Sequence, residues 1–211
     1  IQYGHDPFAQ GQFVVRLSAN HPNEWLAAFN KMKGPIIDSF RTIDLHRKMA
    51  RLKAAPAQTA IDSIKAYQGL QIDLPQGYQA MVLGKSKSVL HYEAERVEKG
   101  KQLFLSKSVL LAKRPYPGPQ VFAYDSLLQF IDGITSQTFF GENEGSYLVT
   151  EIREAPELKY LDWHGNYAME VRGLWRMSNE FKGGPFLAYA VVDETTQSLY
   201  LFHGHAYGPG L

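Results

Sequence analysis

The stretch Gly173-Leu-Trp-Arg-Met-Ser-Asn-Glu-Phe-Lys-Gly-Gly-Pro-Phe186, with the run that follows it to Pro209, contains the densest aromatic residues and glycines of the chain. We interpret it as two strands, one holding a buried Trp175 and one beginning at Phe186. Gly183-Gly-Pro185 is predicted to form the tight connection, with positive φ values at the glycines and a proline that fixes the exit. No nucleophile, phosphate-loop helix or acid pair lies beside it, so the stretch predicts a structural hairpin.

Strand patterns surround this hairpin, since β-branched and aromatic runs alternate with turn residues. The predicted strands are residues 12–18, 78–83, 88–95, 102–113, 147–153, 167–176, 186–193 and 199–207. Helical periodicity predicts helices over residues 22–33, 36–52, 57–68 and 124–139, the first two separated by a break or kink at Gly34-Pro35. The order predicts an α+β fold, with a mostly antiparallel sheet and helices covering one face. It also hints at two duplicated β-α-β-β-β halves.

A proline-rich segment, Pro115-Tyr-Pro-Gly-Pro119, interrupts these patterns and coincides with a change of charge. Residues 1 to 120 hold 17 Lys and Arg against 9 Asp and Glu, whereas residues 121 to 211 hold 5 against 12. We therefore predict a basic N-terminal half, residues 1–118, and an acidic, aromatic-rich C-terminal half, residues 119–211. Opposite charges of this size favour attraction between the halves, or one basic and one acidic surface for partners.

Composition excludes several classes of protein. The 211 residues are 45% hydrophobic, which suffices for a sizeable core, and contain no cysteine for disulfides or thiolate ligands. No apolar run approaches the roughly 18 residues of a membrane-spanning helix. A net charge of +1 argues against a general nucleic-acid binder. No cofactor motif is present, because Gly84-Lys85-Ser86 lacks both the earlier glycine and the following helix of a phosphate loop.

Two histidines form the weak metal-site hypothesis of the sequence. His203 and His205 lie in a predicted strand, so their imidazoles would point to one face roughly 7 Å apart. A metal needs further ligands, which nothing in the sequence positions; the candidates are His91, His164, Glu170 and Asp193. An exposed or hydrogen-bonded pair of strand histidines remains the simpler interpretation.

Catalytic groups are not recognisable. Glu142 and Glu144 lie in a glycine-flanked turn, where nothing would separate their pKa values as an acid–base pair requires. Ser146 lacks the second glycine and the strand-to-helix turn of a nucleophile elbow. Glu170, in a strand beside Tyr167, is the better candidate for a perturbed acid, although an acidic residue on the outer face of the sheet explains it equally. We therefore assign no catalytic residue.

Aromatic residues of the second half either pack in the core of the sheet or line a ligand groove. They are Tyr160, Trp163, Tyr167, Trp175, Phe181, Phe186, Tyr189, Tyr200, Phe202 and Tyr207. Packing in the core is the simpler interpretation, whereas a groove would accept a sugar, lipid or peptide.

Several motifs are similar to those of a known family. The C-terminal ones are Gly173-Leu-Trp175, Gly183-Gly-Pro-Phe186 and Gly204-His-Ala-Tyr-Gly-Pro209, preceded by Gln12-Phe-Val-Val-Arg-Leu17, Leu74-Pro-Gln-Gly-Tyr78, Glu144-Gly-Ser-Tyr147 and Thr150-Glu151. The chain resembles a family of uncharacterised outer-membrane lipoproteins of Bacteroidota, known only as a domain of unknown function. Its signature falls on Gly173, Trp175, Gly183, Gly184, Pro185, Tyr207 and Pro209. Lys182 and Gly208 depart from the methionine and alanine usual in relatives.

The resemblance implies an envelope protein whose signal peptide and lipid-bearing cysteine precede this sequence, and whose short basic helix follows Pro209. It also implies an outer-membrane location facing the periplasm or the exterior, and it transfers no catalytic residue. We expect a non-enzymatic lipoprotein that binds another envelope protein or scaffolds an outer-membrane assembly. The alternative is a ligand-binding or hydrolytic module that acts on envelope glycans or lipids through the aromatic half.

Overall fold

The chain divides into two compact units, residues 1–56 and residues 57–211. A computed structural model describes residues 1–98 and 100–209. The division differs from the predicted boundary after residue 118, because that boundary would cut through a continuous sheet. In the segments that the model describes, no helix is both long and apolar enough to span a bilayer.

The first unit is a hairpin and one long helix. Strands β1 (Gln2–His5) and β2 (Phe13–Arg16) pair antiparallel, and helix α1 spans Pro22–Ala54. The helix continues through Pro35, where the sequence predicts a break or kink. Proline removes one backbone donor, and the exposed position of Pro35 leaves the unpaired carbonyl one turn earlier open to water. β1 was missed in the sequence because four residues carry too little pattern.

The second unit contains two helices and most of the strands. Helix α2 (Gln58–Gln68) ends at Gly69, whose φ of 67° is the left-handed conformation that glycine adopts most readily. Helix α3 (Tyr124–Thr135) follows a 3₁₀ turn, and it buries the face that the sequence predicts. The strands are β3 (Gln79–Val82), β4 (Lys87–Glu98), β5 (Lys101–Pro115), β6 (Leu148–Thr150), β7 (Glu157–Trp163), β8 (Asn166–Met177), β9 (Gly183–Asp193) and β10 (Ser198–Tyr207).

These strands form one antiparallel sheet in the order β3-β4-β5-β10-β9-β8-β6, with β7 also pairing β8. Together with the helices it confirms the predicted α+β class with a mostly antiparallel sheet. β5 pairs β10 from Ser198↔Pro115 to Tyr207↔Ser106, which joins the two predicted halves at the centre of the sheet. The change of charge near residue 118 therefore does not mark a structural boundary.

Strand β7 was not predicted, although the sequence carries a signal for it. The two-residue turn His164-Gly165 joins β7 to β8 with φ of 54° and 85°, as a tight antiparallel hairpin requires. The run Glu157–Trp163 is rich in leucine and aromatic residues, although burial along it does not alternate strictly, since Leu158 and Leu161 are partly buried and Tyr160 is exposed. This hairpin places Trp163 at one end of the sheet.

The two helices of the second unit cover opposite faces of the sheet, which corrects the prediction of helices on one face. Neighbouring strand residues point to opposite sides, and Leu110 packs in the cluster of α3 whereas Leu111 packs in the cluster of α2. A helix followed by strands does occur on each side of the β5–β10 pair. If the two halves were copies of one unit, with β5 and β10 as equivalent antiparallel strands, both helices would lie on the same face of the sheet. They lie on opposite faces, so the arrangement is not a simple duplication.

Candidate functional site

Trp175 lies at the centre of the region that the sequence marks as its signature. Its side chain is only 3% exposed, so the predicted buried position is confirmed. The indole Nε1 donates a hydrogen bond to the carbonyl of Ala206 at 3.1 Å, and the ring lies 5.2 Å from His205 and 6.3 Å from Tyr207. The tryptophan therefore ties β8 to the end of β10 across the intervening β9.

The hydrogen-bonded ladder between β9 and β10 ends next to this tryptophan. It ends at Phe186↔His205, and the next residue on β9 is Pro185, which has no N–H to donate. The indole N–H donates to the Ala206 carbonyl instead. A proline in the sheet and a tryptophan one strand away thus account together for the end of the ladder.

The double glycine permits close approach of backbones rather than a left-handed turn. Among the described glycines with positive φ, neither Gly183 nor Gly184 occurs, so the predicted reason for them is wrong. A Cβ on Gly184 would clash with the carbonyl oxygen of Ala206. A Cβ on Gly183 would lie 2.6 Å from the carbonyl oxygen of Trp175. Any side chain at either position would displace main chain.

An open groove of about 810 Å³ lies beside the end of this ladder. Its lining combines aromatic, apolar and charged side chains: Glu151, Arg153, Glu154, Leu174, Trp175, Arg176, Glu180, Phe181, Lys182, Gly183, Gly184, Tyr207 and Pro209. An adjoining hollow of about 560 Å³ shares several of these residues, including the fully exposed Phe181. We call this surface the signature groove, because Trp175, Gly183, Gly184, Tyr207 and Pro209 all belong to it.

The sequence family can be assigned at this point. The chain belongs to the family described as a domain of unknown function, DUF4837. The family model matches residues 57–211, which are the residues of the second compact unit. Membership of a family of unknown function is the part of the predicted resemblance that is confirmed. No curated protein matches the chain.

The carboxylate in the signature groove of the DUF4837 domain is held by two guanidinium groups. Arg153 donates to Glu151 through Nε at 3.0 Å and Nη2 at 2.5 Å, and Arg176 Nε lies 3.6 Å from the same carboxylate. The side-chain and backbone hydrogen bonds from Arg153 lower the pKa of Glu151 to about 2. Two guanidinium groups thus face the carboxylate of Glu151, while the lining as a whole balances three acidic residues, Glu151, Glu154 and Glu180, against three basic ones.

The rim of the groove adds a third cation, Lys182, and a carboxylate, Glu180, that already accepts a hydrogen bond. Lys182 Nζ lies 4.9 Å from the centre of the Tyr207 ring, and 3.9 Å from the exposed carboxylate of Glu142. Glu180 accepts the backbone N–H of Asn143 at 2.9 Å, and this hydrogen bond is the main cause of its lowered pKa. Glu180 is thus committed to the neighbouring turn. The three cations also have partners: Arg153 and Arg176 lie against Glu151, Arg176 Nη1 also donates to the carbonyls of Met177 and Ser178, and Lys182 lies near Glu142 and Tyr207.

The two histidines of the metal hypothesis lie behind the groove, on the face of the sheet that carries α3. Their rings are 5.6 Å apart, and each has a buried Nδ1 without a hydrogen-bond partner. Burial is the main cause that lowers the pKa of His203 to about 3 and that of His205 to about 4. In the part of the chain that the structure describes, no three His, Cys, Asp or Glu side chains are grouped to hold a metal. The proposed third ligands, His91, His164, Glu170 and Asp193, are not gathered around the pair.

A carboxylate, an imidazole and a hydroxyl form a series across β4 and β5. His91 Nδ1 lies 2.9 Å from Ser108 Oγ, and His91 Nε2 lies 3.0 Å from Glu93 Oε1. The order resembles that of a hydrolase triad. However, Ser108 is 5% exposed, and β5 pairs with both β4 and β10 at this position, so the adjacent ladder N–H groups are committed to neighbouring strands. The series is best understood as a polar contact between strands.

Glu170, the candidate perturbed acid, forms an ion pair. Its carboxylate accepts from Arg172 Nε at 2.5 Å, and this bond is the main cause of its lowered pKa. The hydroxyl of Tyr189, its register partner on β9, also lowers the pKa. A carboxyl held in its ionised form is a poor proton donor, so this cluster supports the sheet rather than acid catalysis.

The aromatic residues of the second half divide between the core and the surface. Trp175 and Phe186 are buried, whereas Tyr160, Trp163, Tyr167 and Phe181 are exposed, and the other four are partly buried. Core packing therefore explains only part of the set. Sequence reasoning included Phe181 among these aromatics but missed the charged rim, because Arg153 is distant in the chain from Arg176 and Lys182. The pairing of β6 with β8, which places Thr150 opposite Trp175, brings Arg153 close to Arg176.

Proposed function

We propose that this DUF4837 protein is a non-enzymatic lipoprotein of the cell envelope that binds an extended segment of a protein partner in the signature groove. The observation that supports the proposal is the convergence of the family signature on an open groove with a fully exposed Phe181 at its edge. The resemblance to outer-membrane lipoproteins of Bacteroidota adds the expected location, at the outer membrane facing the periplasm or the exterior.

The shape and polarity of the groove favour a peptide segment. Isolated exposed hydrophobic residues are common, but a fully exposed phenylalanine beside an aromatic floor is typical of an anchor at an interface. Phe181 and the partly exposed Tyr207 supply the apolar surface for one partner side chain. The cations of Arg153, Arg176 and Lys182 complement a nearby carboxylate of the partner. The expected ligand is therefore an extended segment with an apolar residue next to an acidic one.

Copurification from native membranes tests this proposal. After mild crosslinking, the protein is expected to recover one partner in near-equal amount, and the Phe181→Ser variant is expected to lose it. Phe181 makes no buried contact, so the variant should fold normally, which an unchanged melting temperature verifies. Tyr160→Ser is the matched control, since Tyr160 is an exposed aromatic outside the groove. Recovery of the protein alone, or equal recovery of a partner by both variants, would contradict the proposal.

The same groove also supports the alternative of a ligand derived from envelope glycans or lipids. Three aromatic residues line it, and Glu151 is a largely buried ionisable group within it. Aromatic rings beside a fixed carboxylate are a common arrangement for sugar recognition. Calorimetric titration with envelope glycan fragments and lipid headgroups distinguishes the alternatives. Saturable heat that Phe181→Ser abolishes, in a preparation without any partner protein, would favour the small ligand.

A further inference from the structure

The first unit lacks a core of its own. None of residues 1–56, all of which the structure describes, is buried. Large apolar side chains are instead exposed, and they are Ile1, Tyr3, Phe8, Trp25, Leu26, Phe29, Ile37, Phe40 and Leu45. The contacts that exist are between partly exposed groups, such as Phe13 against Phe40 with ring centres 5.0 Å apart. This unit therefore presents an apolar surface that water covers poorly.

Helix α1 concentrates this surface at its N-terminal end. Trp25 stacks on Phe29 with ring centres 5.3 Å apart, and Leu26 beside them is 53% exposed. Helices in proteins owe most of their stability to packing of an apolar face. A helix of 33 residues without a buried side chain therefore needs an external surface to cover that face.

The charge of the unit indicates the chemistry of that surface. Residues 1–56 carry 8 Lys and Arg against 4 Asp and Glu, and seven of the basic residues lie on α1 between Lys31 and Lys53. Two acidic residues of the helix are already paired, Asp38 with Arg41 and Asp44 with Lys48. A second copy would bring like charges together, whereas an anionic surface would be attracted.

We infer that residues 1–56 form a membrane-surface element that lies on a bilayer containing anionic lipids. Trp25, Leu26 and Phe29 enter the boundary between headgroups and acyl chains, where aromatic and long apolar residues are favoured. The basic residues that follow on α1 contact the headgroup phosphates. This placement depends neither on a covalent lipid anchor nor on a ligand in the signature groove.

Flotation with lipid vesicles tests the inference on the 211-residue chain without any attached lipid. Vesicles of phosphatidylcholine with about 30% phosphatidylglycerol are expected to carry the protein upward, and vesicles of phosphatidylcholine alone are not. Raising the salt concentration from about 0.1 to 0.5 M should weaken binding, because electrostatic attraction is screened. Equal binding to both vesicles, or no binding to either, would overturn the inference.

Two pairs of variants make the test specific. Leu26→Asp is expected to lower the partition coefficient about tenfold or more, because a leucine side chain is withdrawn from the apolar phase. Val97→Asp is its control, since Val97 is a 73% exposed residue of the second unit. Arg51→Glu is expected to lower the partition coefficient roughly tenfold or more, with Lys65→Glu, at an exposed position of α2, as its control. Equal effects of test and control variants would contradict the inference. Concentration-dependent self-association that Leu26→Asp abolishes, without vesicle binding, would assign the surface to a second copy instead.

Discussion

Acidification is expected to destabilise the DUF4837 domain through two buried histidines. His203 is 1% exposed and His205 is mostly buried, and both have a buried nitrogen without a partner. Burial lowers the pKa of His203 from 6.5 to about 3, and that of His205 to about 4. Both side chains therefore stay neutral in the folded protein at pH 5, whereas the unfolded chain binds a proton at each. The contribution of the two neutral histidines to the free energy of unfolding is fully present above pH 6.5, and it is lost as the pH falls towards 4 and 3.

The magnitude follows from the difference in proton binding. At pH 5.0 the unfolded chain lies 1.5 pH units below its histidine pKa of 6.5, which corresponds to about 2 kcal/mol for each residue. The free energy of unfolding is thus expected to fall by about 4 kcal/mol between pH 7.5 and pH 5.0. His203→Leu removes one titrating group at similar volume, so the fall should shrink to about 2 kcal/mol.

Urea denaturation at several pH values, followed by tryptophan fluorescence, measures this quantity. The comparison uses the change in unfolding free energy with pH, so a constant cost of the substitution at neutral pH cancels. His46→Leu, at an exposed position of α1, controls for the removal of a histidine as such. The reasoning is refuted if the wild-type protein and His203→Leu lose the same free energy between pH 7.5 and pH 5.0. A titration of the His203 resonance with a midpoint near 6.5 would refute it as well.

Three further predictions concern the signature groove and its support. Trp175→Ala is expected to lower the free energy of unfolding by about 3 to 5 kcal/mol. Trp175→Phe should lower it by about 1 to 3 kcal/mol, because the Ala206 carbonyl loses its donor. Urea midpoints measure both effects, and an undiminished midpoint for Trp175→Ala would contradict the buried position. Gly184→Ala should cost about 1 to 3 kcal/mol because its Cβ meets main chain, whereas Gly133→Ala, in α3 with nothing within 4 Å, should stabilise by about 0.5 to 1 kcal/mol. The Arg153 hydrogen bonds hold the pKa of Glu151 low, so the wild-type protein loses unfolding free energy as the pH falls from 4.5 to 2. Glu151→Gln should remove this part of the loss. An unchanged dependence of unfolding free energy on pH would show that the ion pair contributes nothing.

The sequence predicted elements whose signals are local. Leu127, Leu128 and Ile131 share a helical face in any α-helix with this order of residues, and α3 buries that face. The strands around Trp175 and Phe186 were predicted because alternation and turn residues need no distant partner. Of the break or kink predicted at Pro35, the break does not occur, because local propensity ignores whether the freed carbonyl reaches water.

Other features depend on residues that are distant in the chain. The face that each helix covers, the pairing of β5 with β10, and the end of the β9–β10 ladder at Phe186↔His205 depend on register, and a slip of one residue would invert the faces. For this reason the sequence could name Gly184 as part of a signature but not the Ala206 carbonyl that leaves it no room.

Composition and periodicity by themselves determined an α+β protein with an antiparallel sheet and a buried Trp175. The tertiary structure alone decided that the signature forms an open groove with Arg153, Arg176 and Lys182 at its rim. It also decided that residues 1–56 form a separate unit without a core. The physical reason is that strand and helix preferences act between near neighbours, whereas a groove and a core exist only once distant segments exclude water together.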